Sequence, residues 1–114
     1  MTMIARLVEE HRGDYPVARI QGEIDASNVV WLETRLTAML DNQSHGLIVD
    51  LADTTYLDSA GIALLFGLAA TLRRHQQKLR LVIISTSPIA RMVALTGLAS
   101  AVPTHESIEA ATSD

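Results

Sequence analysis

The sequence predicts an α/β domain: a four- to five-stranded mixed sheet with helices, in the order ββαβαβαβα. Two observations carry this. Short runs of Leu, Ile and Val, such as Leu47-Ile48-Val49 and Leu81-Val82-Ile83, alternate with segments of helical periodicity. Those helical segments are about 10 to 16 residues long, which implies largely parallel pairing through right-handed crossovers. A third observation sets the kind of core. The 114 residues are 48% hydrophobic but only 4% aromatic, enough to bury one core of Leu, Ile, Val and Ala without disulfides or metal. A single domain over residues 1–114 is expected.

The elements follow in order. Residues 3–10 and 15–21 read as two strands joined through Arg12-Gly13-Asp14, turn chemistry that suits a hairpin. Gly22-Glu23-Ile24-Asp25 leads into a helix over 26–40, where Val29, Leu32, Leu36 and Met39 recur as one buried stripe. Asp25 is placed to cap its first turn. A polar break at 41–46 precedes a strand over 47–51. A second helix runs to about His75, ending in Arg73-Arg74-His75, cations that suit the negative end of a helix dipole. Residues 79–84 read as a strand. Ser87-Pro88 is a helix start, and Gly97-Leu98 a stop with glycine in the left-handed position. A short strand at 101–103 and a terminal helix from Glu106 close the chain.

Composition excludes several functions. A net charge of −4 argues against a broad electrostatic grip on nucleic acid. The absence of cysteine removes disulfide, thiol and Cys-based zinc chemistry. Residues 1–10 lack the basic start and apolar run of a signal peptide, and the apolar run 62–70 is about half of the roughly 20 residues a membrane span requires. His11, His45, His75 and His105 fall in turns or at element ends without metal-ligand spacing. A cytoplasmic monomer with no cofactor, metal, membrane or nucleic-acid partner is expected. Trp31 lies off the buried stripe, with Arg35 one turn on as a stacking partner.

The most informative stretch is Tyr56-Leu57-Asp58-Ser59-Ala60-Gly61, between two apolar blocks. A serine there sits where the free N–H groups of a helix start point outward, a position that suits an N-cap and equally suits a phosphate. The following helix, with Ile62, Ala63, Leu64, Leu65, Phe66, Leu68, Ala69 and Leu72, is apolar nearly all round. Either some of that surface stays exposed beside Ser59 as a protein-binding patch, or the helix is buried on two sides.

Gly22-Glu23-Ile24-Asp25, Leu57-Asp58-Ser59-Ala60-Gly61 and the frame from Ser87-Pro88 to Gly97-Leu98 together resemble the STAS domain of anti-sigma factor antagonists, over roughly residues 4–108. The resemblance implies the STAS fold and a regulatory, non-enzymatic function by partner switching. It implies that the serine after the aspartate, Ser59, is phosphorylated by a GHKL-type serine kinase that doubles as the anti-sigma factor. A PP2C-type phosphatase would remove the phosphate. The unphosphorylated form would bind the anti-sigma factor and release the sigma factor, and phosphorylation would abolish binding. Asp25, Asp58, Ser59, Ala60, Gly61, Ile62 and Leu65 are then the expected partner-binding residues. The chain departs from the pattern in Ala60, where a second hydroxyl is common, and in Gln76-Gln77-Lys78, where a glycine often precedes the strand.

Other readings compete. A hydrolase nucleophile elbow fails because Leu57 stands where Gly-x-Ser-x-Gly needs its first glycine. A response-regulator receiver would use Asp50 as phosphoacceptor and Glu9-Glu10 as an acidic pair, but 81–86 supplies no lysine. Within the same resemblance, a non-switching STAS subunit of a lipid-transport ATPase or transporter remains as the alternative, against which stands the intact serine context.

Overall fold

The N-terminal hairpin forms the edge of the sheet. In the computed structural model, which describes residues 5–113, β1 spans Ala5–Arg12 and β2 spans Tyr15–Ile24. They pair antiparallel from Ala5↔Gly22 to Arg12↔Tyr15. The two-residue loop places Gly13 at φ 60°, where a hairpin turn of this length favours glycine. Positions 3 and 4 of the expected first strand lie outside the described residues.

Then follow α1 (Val29–Ala38), β3 (Gly46–Asp50), β4 (Thr54–Leu57), α2 (Ser59–Arg74), β5 (Lys78–Val82), α3 (Ala90–Leu95), α4 (Leu98–Ala101), β6 (Thr104–His105) and α5 (Ile108–Thr112). The sheet order is β1-β2-β3-β5-β6, and all pairs beyond the hairpin are parallel. The α/β class and the mixed sheet therefore hold, with six strands among the described residues.

The additional strand is β4, and it positions the site. β3 pairs with Val17, Ala18 and Arg19 of β2; after a three-residue break, β4 resumes beside the same strand against Gly22, Glu23 and Ile24. The register shifts between Gly22 and Glu23, which face Thr54 and Tyr56, so the extra residue at this irregularity is Thr55 on β4. Buried Thr54 locks the resumption by donating its hydroxyl to the Ile20 carbonyl at 2.7 Å.

Three further boundaries differ from expectation. Asp25 holds a turn ahead of α1: its carboxylate accepts from the Ser27 N–H and hydroxyl, while regular helix begins at Val29 with Asn28 before it. Ser87-Pro88 likewise opens a turn, and α3 starts at Ala90; the buried Ser87 hydroxyl makes no cap bond among the described residues. Gly97, at φ 81°, ends α3 as expected, but the chain resumes as α4, whose last residue, Ala101, was expected to open a strand. The last strand moves to β6, next to Pro103, whose carbonyl accepts from Leu81 N–H while its missing N–H suits an edge.

The main core lies between one sheet face and α1 to α4, and includes Ile20, Leu32, Leu36, Val49, Leu65, Leu72, Leu81 and Leu98. On the opposite face α5 covers a smaller cluster of Val17, Ile48, Val82 and Ala111. There the Arg80 guanidinium lies over the Tyr15 ring, 5.1 Å from its centroid. Ser107 starts α5, its hydroxyl accepting from the Ala110 N–H at 3.1 Å.

Candidate functional site

The parallel pairing of β2 and β4 brings two acidic residues to one edge of the sheet. Ile24 and Leu57 are register partners, so Asp25 and Asp58, the next residue on each strand, leave the sheet side by side. The Asp58 N–H donates to the Ile24 carbonyl at 3.3 Å and fixes this edge. Asp58 is then the N-cap of α2, its carboxylate accepting from the Gly61 N–H at 3.0 Å. That overturns the reading of Ser59 as the helix cap. With Asp58 in that post, Ser59 is the first helical residue, exposed, its hydroxyl without a hydrogen-bond partner among the described residues. An open hydroxyl at a helix N-terminus is accessible to a modifying enzyme, and the helix dipole favours an anion there.

The expected partner-binding residues divide by burial. Asp25, Asp58 and Ala60 are half-buried and Ser59 is exposed. Gly61, Ile62 and Leu65 point inward, and the expectation that they present surface is corrected. Ile62 is 7% exposed and Leu65 1%, both within the main core. Gly61 faces Leu57 and Ile24 so closely that a Cβ would overlap the Leu57 Cδ1. A helix packing on a sheet must turn its continuous apolar stripe inward, and Gly61, Ile62, Leu64, Leu65, Leu68, Ala69 and Leu72 are the buried residues of α2.

The exposed apolar surface of α1 and α2 comes from Val30, Ala63 and Phe66, none of them among the expected partner-binding residues. Between α1 and α2 runs a shallow groove of about 230 Å³ lined by Val29, Val30, Glu33, Ala60, Ala63 and Leu64. Val30 is 74% exposed, and Phe66, one helical turn beyond Ala63 on α2, is 36% exposed. Ser59 and Ala63 are four residues apart and therefore neighbours on one face of the helix. The usable signal was Val30, an apolar residue off the stripe of Leu32 and Leu36. Trp31 is half-buried with Arg35 over its ring at 5.8 Å, and Arg35 pairs with Glu9 at 2.8 Å, which ties α1 to β1.

Asp50, the acid that a receiver-type reading would phosphorylate, is enclosed. It is 7% exposed, accepts from the Ala52 N–H at 2.9 Å and lies 3.6 Å from Arg19. Burial pushes its carboxyl above the ordinary value of 3.8, against the opposing pull of the Ala52 N–H and Arg19. Arg19 also reaches Glu10 at 3.1 Å and Asp53 at 3.7 Å, and its hydrogen bond to Glu10 is the main influence raising its pKa. Among the described residues no group of three His, Asp or Glu is placed to hold a metal ion, and no helix is long and apolar enough to cross a membrane.

Comparison with known proteins agrees with this geometry. The sequence model of the STAS domain matches residues 6–111. An anti-sigma-B factor antagonist of Staphylococcus epidermidis is 30% identical over 96 residues, covering 84% of this chain and 88% of that protein. In fold, the chain is similar to an anti-sigma factor antagonist from Mycobacterium paratuberculosis (TM-score 0.85, 23% identity, 96% of this chain and 92% of that one). It is also similar to the Bacillus cell fate determinant SpoIIAA in its phosphorylated form (TM-score 0.66, 22% identity, 95% and 98%). The chain belongs to the STAS domain family.

Proposed function

We propose that this protein is an anti-sigma factor antagonist that works by partner switching, with Ser59 as the phosphorylated residue. The supporting observation is the placement of Ser59: exposed, at the first residue of α2, beside the groove between α1 and α2. The anti-sigma factor antagonists among its relatives, and a solved relative that is phosphorylated, support the same reading.

In the unphosphorylated state the partner, a serine-kinase anti-sigma factor, covers Ser59 and the groove and releases its sigma factor. Asp25, Asp58 and Glu33 make the border of this surface acidic, which calls for a partner with basic residues around an apolar contact. Phosphorylation adds about −1.5 to −2 charges at Ser59. The start of α2 stabilises that charge by about 0.3–1 kcal/mol, and Asp58 opposes it by like-charge repulsion. The fold is therefore nearly indifferent to the modification. The interface is not, because a phosphate there must lose its water beside two carboxylates. A loss of about 2.8 kcal/mol is a hundredfold weaker affinity. A phosphatase of the PP2C type restores the hydroxyl.

The test compares Ser59→Ala and Ser59→Asp in binding to the anti-sigma factor, with mass spectrometry of the wild type after incubation with it and ATP. Ser59→Ala should bind as the wild type does, Ser59→Asp about a hundredfold more weakly, and phosphate should map to Ser59. Equal affinities of the two variants, or phosphate on another residue, would reject the proposal.

A further inference from the structure

At the far end of α2 from Ser59, a cleft of about 430 Å³ opens between the last turns of α2, the start of β5 and the segment from α4 to β6. Its volume is in the range of small-molecule sites. The floor is apolar: Ala69, Leu79 and Val102, all buried members of the main core. Exposed Arg73 and Lys78 also line it, with Ser100 on the α4 side. No carboxylate lines the cleft among the described residues, although the chain has 13 acidic residues against 9 basic ones.

The two cations, like Arg6, Arg74 and Arg91, hold no carboxylate of a described residue, but here they share one cleft. Arg12, Arg19 and Arg35 are all engaged by carboxylates, whereas neither Arg73 nor Lys78 makes an ion pair with a described residue. The Gln77 side chain, also in the lining, is committed: its amide donates to the carbonyls of Asp41 and Ser44. Two cations without a carboxylate partner among the described residues thus border an apolar floor. A neutral apolar ligand would leave the cations unused, and an inorganic anion would leave the floor uncovered.

We infer that this cleft binds a small organic anion, a carboxylate or phosphate head held by Arg73 and Lys78 on a short apolar body seated on Ala69, Leu79 and Val102. The guanidinium of Arg73 offers a planar fork to either head group, and Lys78 adds a point charge. The site is separate from Ser59, at the opposite end of a 16-residue helix about 24 Å long.

The test is an amide NMR titration of the intact protein with three probes of equal chain length: hexanoate, hexyl phosphate and hexanol. Hexanoate or hexyl phosphate should shift the amides of Leu79, Ser100 and Val102 with a dissociation constant on the order of 1 mM, and hexanol should bind at least about tenfold more weakly. Which anion binds more tightly identifies the head group. Arg73→Gln with Lys78→Gln should weaken the anion about tenfold or more, while Arg91→Gln, an exposed cation on α3 outside the cleft, should change nothing. Raising the salt on wild-type protein should weaken anion binding without any mutation. Equal binding of hexanol and hexanoate, shifts that map elsewhere, or shifts with an acidic peptide but with neither hexyl anion would overturn the inference.

Discussion

The carboxylate of Asp58 accepts a hydrogen bond from the backbone N–H of Gly61 at 3.0 Å, so the residue before Ser59 closes the first turn of α2. Asp58 has two separable properties here, a cap and a charge. Asp58→Ala removes both and should cost about 1 kcal/mol, seen as a drop of roughly 4–8 °C in thermal unfolding. Asp58→Asn keeps an acceptor of the same shape and should stay within about 0.5 kcal/mol of the wild type, since Asn caps about as well as Asp. Equal destabilisation by both would show that the charge, not the hydrogen bond, stabilises this turn.

Two glycines in the same helix should respond to alanine with opposite sign. Gly67 is exposed with nothing within 4 Å of an added Cβ, and Gly67→Ala should stabilise by about 0.5–1 kcal/mol through helix propensity. Gly61 is buried against Leu57 and Ile24, where the methyl has no room. Gly61→Ala should lose about 1–3 kcal/mol, the usual penalty of overpacking. Urea unfolding of both variants decides the matter. Stabilisation by Gly61→Ala would mean that Leu57 moves aside freely.

What the sequence disclosed, and what it withheld, follows from the range of the forces involved. The hairpin at Gly13-Asp14, the stripe of Leu32 and Leu36 and the stop at Gly97 are local, written in turn chemistry and period, and all were legible. β4 was not, because Thr54-Thr55-Tyr56-Leu57 is only four residues long and its pairing partner lies some thirty positions earlier. Its β-branched and aromatic content was the available cue. Asp25 and Ser87 were read as helix caps because capping residues and turn residues are the same types. The outward placement of Ser59 at the start of a helix was legible; the division between inward Ile62 and Leu65 and outward Val30 was not. That division depends on which side of α2 meets the sheet and where α1 lies across it, and an all-round apolar helix does not encode either.

Asp50 makes stability depend on pH. Its folded-state pKa lies above the ordinary 3.8, chiefly because burial disfavours the charged form. The folded state therefore binds a proton more tightly than the unfolded state does. Its contribution is fully present below the unfolded value and is lost as pH rises from there through the raised folded value. Asp50→Asn keeps an acceptor for the Ala52 N–H and removes this dependence. The variant should unfold at a higher temperature than the wild type near neutral pH, with the difference shrinking toward pH 3. A difference that does not change with pH would assign the effect to packing.

Val30 and Leu95 offer the sharpest comparison of surfaces, because they are almost equally exposed, at 74% and 75%, on different helices. Neither contributes to the core, so Val30→Asp and Leu95→Asp should each alter stability by no more than about 0.5 kcal/mol. Val30 lines the groove beside Ser59 and Leu95 does not. Val30→Asp replaces an apolar contact of the groove with a carboxylate that a docked partner must strip of water, and should weaken binding of the anti-sigma factor about tenfold or more. Leu95→Asp should leave the affinity unchanged. Calorimetric titration of both variants separates the possibilities: a loss at Leu95 with none at Val30 would move the docking surface from α1 and α2 to α3, whatever Ser59 does.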